Sequence, residues 1–141
     1  MNYRIMGIDY GLKKIGVALS DTMGIIASPF STIENTNSQA SIKEILKLVA
    51  ENNVGEIAVG MPLNMDGSES SMSCAVREFI KRLKENSALP VVEIDERLTT
   101  SQTDRMLIEE ADISRAERKK ARDKIAASLI LRVYLERKCI S

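Results

Sequence analysis

Hydrophobic and polar positions alternate at strand spacing near the start of the chain. Ile5, Met6 and Ile8 form a short apolar run, and Ile15, Val17 and Leu19 alternate with Gly16, Ala18 and Ser20. That period of two predicts a strand with one bulky and one small face. Gly7 and Gly11 punctuate the segment between, so two strands joined by a tight turn are expected, with Asp9 near the tip of the first. From Ile25 to Ile33 the chain is apolar and rich in hydroxyls, and Pro29 restricts this third strand to an edge or a bulge.

Helical spacing takes over at Ile42, Ile45, Leu46 and Val49, with Ser41 and Glu44 as a capping box and an end near Asn52 or Asn53. Glu56-Ile57-Ala58-Val59-Gly60 reads as a buried strand reached by a crossover. A loop, Asn64-Met65-Asp66-Gly67-Ser68, precedes a second helical stripe of Met72, Ala75, Val76, Phe79, Ile80 and Leu83. Cys74 lies beside that stripe and is expected to be buried packing rather than a nucleophile. Pro90 opens a fifth strand, Val91 to Ile94. It runs into Asp95-Glu96-Arg97-Leu98-Thr99-Thr100, where Thr99 or Thr100 would cap a helix around Met106 to Ala111. Ser114 and Glu117 form another candidate capping box. They introduce the basic run Arg115, Arg118, Lys119, Lys120, Arg122 and Lys124, and then the apolar stretch Ile125 to Leu135. Ala126 and Ala127 are small enough to let that last helix lie close to a sheet.

Composition narrows the chemistry. With 141 residues and 44% hydrophobic content, residues 1–141 are expected to form one domain with a substantial core. Twenty basic residues balance twenty acidic ones, so any site for a polyanion depends on local rather than net charge. Two distant cysteines, no signal-like N-terminus and no apolar run near roughly 18 residues point to a reducing, cytoplasmic setting away from the membrane. The chain contains no histidine, which excludes Ser-His-Asp and Cys-His triads, histidine zinc sites and histidine bases.

Carboxylates remain. Asp9 with Lys13 and Lys14 fits a site where a metal ion and a phosphate meet, and equally an acidic turn with solvated lysines. Glu96 stands at a strand end, where ligands of open α/β sheets gather, and Asp123 precedes the tightly packed helical segment. Such a trio suits phosphodiester hydrolysis with Mg²⁺ or Mn²⁺, in which carboxylates hold divalent ions that assist an in-line displacement. Lys13, Lys14 and Arg97 are candidates for substrate phosphates, and Thr99 and Thr100 for hydroxyl donors. Two Phe, three Tyr and no Trp leave little for base stacking, which favours recognition of shape and backbone.

The segments Gly7 to Gly11 with Lys14 to Asp21, Val59 to Ser68, Asp95 to Thr100 and Asp123 to Ala127 occur in order over nearly the whole chain. Together they closely resemble the YqgF family of Holliday-junction-resolvase-like nucleases. The resemblance implies a ribonuclease-H-like α/β fold, a five-stranded mixed sheet with helices on both faces. It also implies metal-binding and catalytic roles for Asp9 on the first strand, Glu96 after the fifth and Asp123 on the final helix. Members are implicated in maturing the 5′ end of precursor 16S ribosomal RNA, and the family was linked to junction resolution by likeness to RuvC resolvases. The expected partners are therefore precursor rRNA, branched DNA and the ribosomal subunit, with the protein a monomer or homodimer. Two other functions share these features: a non-catalytic RNA- or ribosome-binding module, and a nucleotide-dependent phosphotransferase, which would need a second domain to close over its nucleotide.

Overall fold

The computed structural model describes residues 2–98 and 115–140. Strands β1 (Arg4–Asp9), β2 (Lys14–Ser20) and β3 (Ala27–Glu34) lead into helix α1 (Ser38–Glu51). Then come β4 (Val54–Met61), α2 (Ser71–Asn86), β5 (Val91–Asp95), a single 3-10 turn at Glu96–Leu98 and the long helix α3 (Arg115–Ile140). One mixed sheet results, in the order β3-β2-β1-β4-β5. The β1–β2 and β2–β3 pairs are antiparallel, and β4 runs parallel to both β1 and β5. The carboxyl ends of β1, β4 and β5 therefore lie along one edge.

Alternation sorts the sheet into two unlike faces. Met6, Ile8, Ile15, Val17, Leu19, Ile57 and Val59 pack with Ile42 and Ile45 of α1 and Val76, Phe79, Ile80 and Leu83 of α2. On the other side Ile5, Ala18, Ala58 and Ile94 meet Ala127, Ile130, Leu131 and Tyr134 of α3. The five-stranded mixed sheet with helices on both faces is thus the observed architecture.

Small residues on the second face let α3 rest almost on the strand backbones. A Cβ added to Gly7 would come 2.6 Å from the Ala127 carbonyl and 2.7 Å from the Leu131 Cβ, and one on Gly16 would fall onto the Asp123 carbonyl. Gly7 thus makes room for a helix and not for a ligand. Ala127, fully buried, keeps the expected place against the sheet.

Pro29 lies on edge strand β3 where the register slips: Val17 pairs with Ser31 and Ala18 with Pro29, so Phe30 is the extra residue of a bulge. Ile25 and Ile26 belong to the preceding turn and are exposed, so β3 starts two residues later than the apolar pattern implied. Helix α1 begins a turn before the expected capping box. Asn37 is its N-cap, accepting from the Ala40 amide at 2.8 Å, while Ser41 is buried and its Oγ donates to Asn35 Oδ1. Helix α2 is capped by a reciprocal Ser70–Ser73 box. Cys74 is exposed, contrary to expectation, because it falls on the outward side of the stripe of Ser73, Val76, Phe79, Ile80 and Leu83. The expected helix around Met106 to Ala111 and the Ser114–Glu117 box lie outside the described residues or their described side chains.

Opposite the carboxyl edge, α3 is fastened to β4 by a buried carboxylate. Glu56 accepts hydrogen bonds from Tyr134 at 2.6 Å, Tyr3 at 2.7 Å and the Lys138 ammonium at 2.8 Å. Burial raises the Glu56 pKa, but these donors outweigh it and hold the carboxylate below its usual range.

Candidate active site

Asp9 is the last residue of β1, and alternation with Ile5 and Gly7 turns its side chain toward the α3 face. Glu96 follows β5 directly and folds back over Gly60, near the end of β4, where an added Cβ would come within 2.6 Å of Glu96 Oε1. Asp123 arrives on α3, its carbonyl seated over Gly16, the register partner of Asp9. Two glycines thus supply the space for two of the acids.

The carboxyls of Asp9 and Glu96 share a hydrogen bond. Burial, that bond and the charges of Glu96 and Asp123 push the pKa of Asp9 up to about 8, against only partial relief from Arg122. Glu96 is also raised, chiefly by burial and further by the charge of Asp95, although its bond to Asp9 works the other way. Like charges crowded in a desolvated place hold a proton unless a cation replaces it. Among the described residues, no three His, Cys, Asp or Glu side chains are gathered into a ready-made metal cage. What the fold supplies is a touching pair of carboxyls with a third acid at electrostatic range. That all-oxygen set fits a hard divalent cation, since Mg²⁺ is commonly held by one or two carboxylates while substrate phosphates complete its shell.

Of the expected phosphate ligands, Lys13 and Lys14 are exposed at the β1–β2 turn, on the same edge as Asp9. Arg97 is already engaged. Its guanidinium binds Asp95 at 2.6 Å and its Nη1 donates to the Met65 carbonyl at 3.1 Å, so it ties the β4–α2 loop to the end of β5. Thr99 and Thr100 lie outside the described residues. Arg122, read from the sequence as part of a solvated basic face, acts electrostatically on Asp9. Its position next to Asp123 was the available clue. Gly60 was the other feature passed over, because a glycine that seats a distant carboxylate looks in sequence like any glycine at a strand end.

Residues 3–137 match the family model described as "RuvX: Holliday junction resolvase". The chain belongs to the RuvX family. Its relatives include proteins named "Putative pre-16S rRNA nuclease". One from Endomicrobium trichonymphae is 51% identical, covering 94% of this chain and 95% of the relative. Another, from Thermoanaerobacter pseudethanolicus, is 47% identical over 94% of this chain and 96% of its own. RuvX membership agrees with the resemblance carried by the four motifs. Among solved structures, T. thermophilus RuvC in complex with a Holliday junction substrate superposes with a TM-score of 0.63 at 11% identity, covering 99% of this chain and 97% of that one. The Fowlpox virus resolvase in complex with Holliday junction DNA gives 0.57 at 16% identity, covering 96% of this chain and 98% of its own. At such identities the likeness concerns the fold alone, and it is the ribonuclease-H-like fold of the resolvases. No helix among the described residues is long and apolar enough to cross a membrane.

Proposed function

We propose that this RuvX chain is a divalent-metal-dependent nuclease of the cytoplasm that hydrolyses phosphodiester bonds in structured RNA, maturing the 5′ end of precursor 16S rRNA. The hydrogen-bonded pair of Asp9 and Glu96, faced by Asp123 at the carboxyl edge of the sheet, carries this reading. The names of relatives covering nearly the whole chain support the choice of RNA. Asp9 and Glu96 would hold Mg²⁺ or Mn²⁺, with Asp123 as the third carboxylate. When bound, the ion supplies positive charge against the charge developing on the phosphate and favours ionisation of water at neutral pH. In the cation-free site the Asp9 carboxyl keeps its proton and donates it in a hydrogen bond to Glu96, and Gly60 leaves the space over which Glu96 reaches it. Lys13 and Lys14 place positive charge on the substrate's approach, where a phosphate backbone gains contacts without sequence preference.

Four-way DNA is the competing substrate, favoured by the family description and by the RuvC fold. Paired cuts at a junction call for a homodimer, whereas RNA processing is open to a monomer. End-labelled precursor rRNA, free and within the ribosomal subunit precursor, is incubated with the purified protein and Mg²⁺ or Mn²⁺ beside a labelled DNA junction. Cleavage of the RNA that falls at least 100-fold in Asp9→Asn is the expected result. Cleavage of the junction alone transfers the assignment to resolution. Binding of RNA without cleavage in any of these mixtures makes the chain a binding module.

A further inference from the structure

Two large apolar side chains stand in solvent on the edge that carries the acids. Leu12, three residues after Asp9, is 65% exposed, and Met65, on the loop after β4, is 85% exposed. Both sit on loops whose backbones are fixed beside them. Asn35 donates from its side chain to the Gly11 carbonyl at 2.8 Å and from its amide to the Lys13 carbonyl at 2.9 Å, so the turn is gripped on either side of Leu12. Asn35 is itself held by Ser41 of α1. The Met65 carbonyl is gripped by Arg97, the residue after Glu96. Its loop is closed by the Asn64 amide on the Ser68 carbonyl, by the Gly67 amide on the Asn64 carbonyl, and by Ser68 on Asp66.

A single exposed apolar residue needs no explanation; what sets these two apart is that each stands on a hydrogen-bonded loop at the edge that carries the acids. The sheet order sets the two prongs on either side of the acid pair: Leu12 joins β1 to β2, whereas Met65 follows β4 and is tied to the end of β5. Aromatic groups are not available for this task beside Asp9, since Tyr10 is packed on Phe79 with ring centroids 4.6 Å apart. Aliphatic wedges of this kind engage nucleic acid where base steps open.

Resting on the nuclease reading of the same site, we infer that Leu12 and Met65 are specificity-determining contacts. They pack against bases displaced from the stack on either side of the scissile phosphate, so the enzyme selects paired RNA interrupted by unpaired nucleotides. Lys13 and Lys14 contact the backbone, and the two prongs test whether the strand is open.

The test uses an RNA duplex with one unpaired 2-aminopurine between paired arms, the fully paired duplex, and the single strand. Each is titrated with the full chain carrying Asp9→Asn to prevent cleavage, alone and combined with Leu12→Ser, Met65→Ser or Met65→Leu. The expected result is an affinity for the interrupted duplex about tenfold weaker in each Ser variant, with Met65→Leu close to the parent. The 2-aminopurine fluorescence change is lost with it, while the dependence on salt is unchanged because no phosphate contact is removed. Equal affinities and equal fluorescence in the Ser variants would overturn the prongs and leave the nuclease reading standing. Failure of the otherwise unaltered protein to bind or cut any RNA would overturn both. Thermal melts of the variants, which alter exposed side chains only, are expected to match the parent.

Discussion

Asp9 is where one residue sets a measurable property of the molecule. Its native pKa of about 8 lies above the ordinary 3.8, so between these values the folded protein keeps a proton that the unfolded chain has released. Stability of the cation-free protein therefore falls as pH rises through that window and levels off above it. Asp9→Asn removes this slope and is expected to stabilise the cation-free protein at about pH 8.5, while ending cleavage. Mg²⁺ is expected to raise the wild-type melting temperature more at about pH 8.5 than at about pH 5, where it competes with the retained proton. Melting curves of both proteins at the two pH values, with chelator or with Mg²⁺, check each statement. A slope that persists unchanged in Asp9→Asn would show that Asp9 is not its source. The three acids were legible in the sequence because each stands beside an element end whose pattern of apolar residues is strong. The pairing of Arg97 was not: a guanidinium two residues from Asp95 can serve a phosphate or its neighbour, and only the loop at Met65 decides.

At the scale of elements, α3 connects stability to the site. The alternation of large and small residues on β2 showed that its two faces differ, and that much is a property of sequence. Whether a ligand or a helix fills the small face is settled by the third dimension, and at Gly7 and Gly16 it is α3. Gly16→Ala would press on the backbone that carries Asp123 and move the helix or the strand. The expected cost is about 1–3 kcal/mol in urea unfolding, together with a loss of cleavage that persists under conditions where the variant is fully folded. Gly60→Ala separates the two effects. Its Cβ would meet the flexible Ile130 Cδ1 and the Glu96 side chain rather than backbone, so the loss of stability should be smaller and the loss of cleavage equal or greater. The same dependence on the third dimension explains Cys74, where helical spacing located the stripe but not its border.

Across the whole molecule the two edges of the sheet do different work. One edge gathers charge that repels, and the other, around Glu56, gathers charge that is fully partnered. The Glu56 carboxylate lies below its ordinary pKa of 4.5 through its hydrogen bonds to Lys138, Tyr134 and Tyr3, so its stabilisation is present above that value and is lost as pH falls through the lower native pKa. The loss of stability in acid therefore draws on Glu56 at the far edge, and the decline of the cation-free protein toward about pH 8 on Asp9 at the site. Glu56→Gln keeps the shape, loses the ion pair and leaves Lys138, whose side chain is 35% exposed, to be solvated in part. A cost of about 1–3 kcal/mol follows, less than for a fully buried pair because water reaches the ammonium. Cleavage by the folded variant should equal that of wild type, since Glu56 lies at the opposite end of β4 from Gly60 and the Glu96 seat. Urea unfolding and single-turnover cleavage at low temperature measure the two quantities on one preparation. If cleavage fell in step with stability, the edges would be coupled through α3 rather than independent, because Asp123 and Lys138 share that helix.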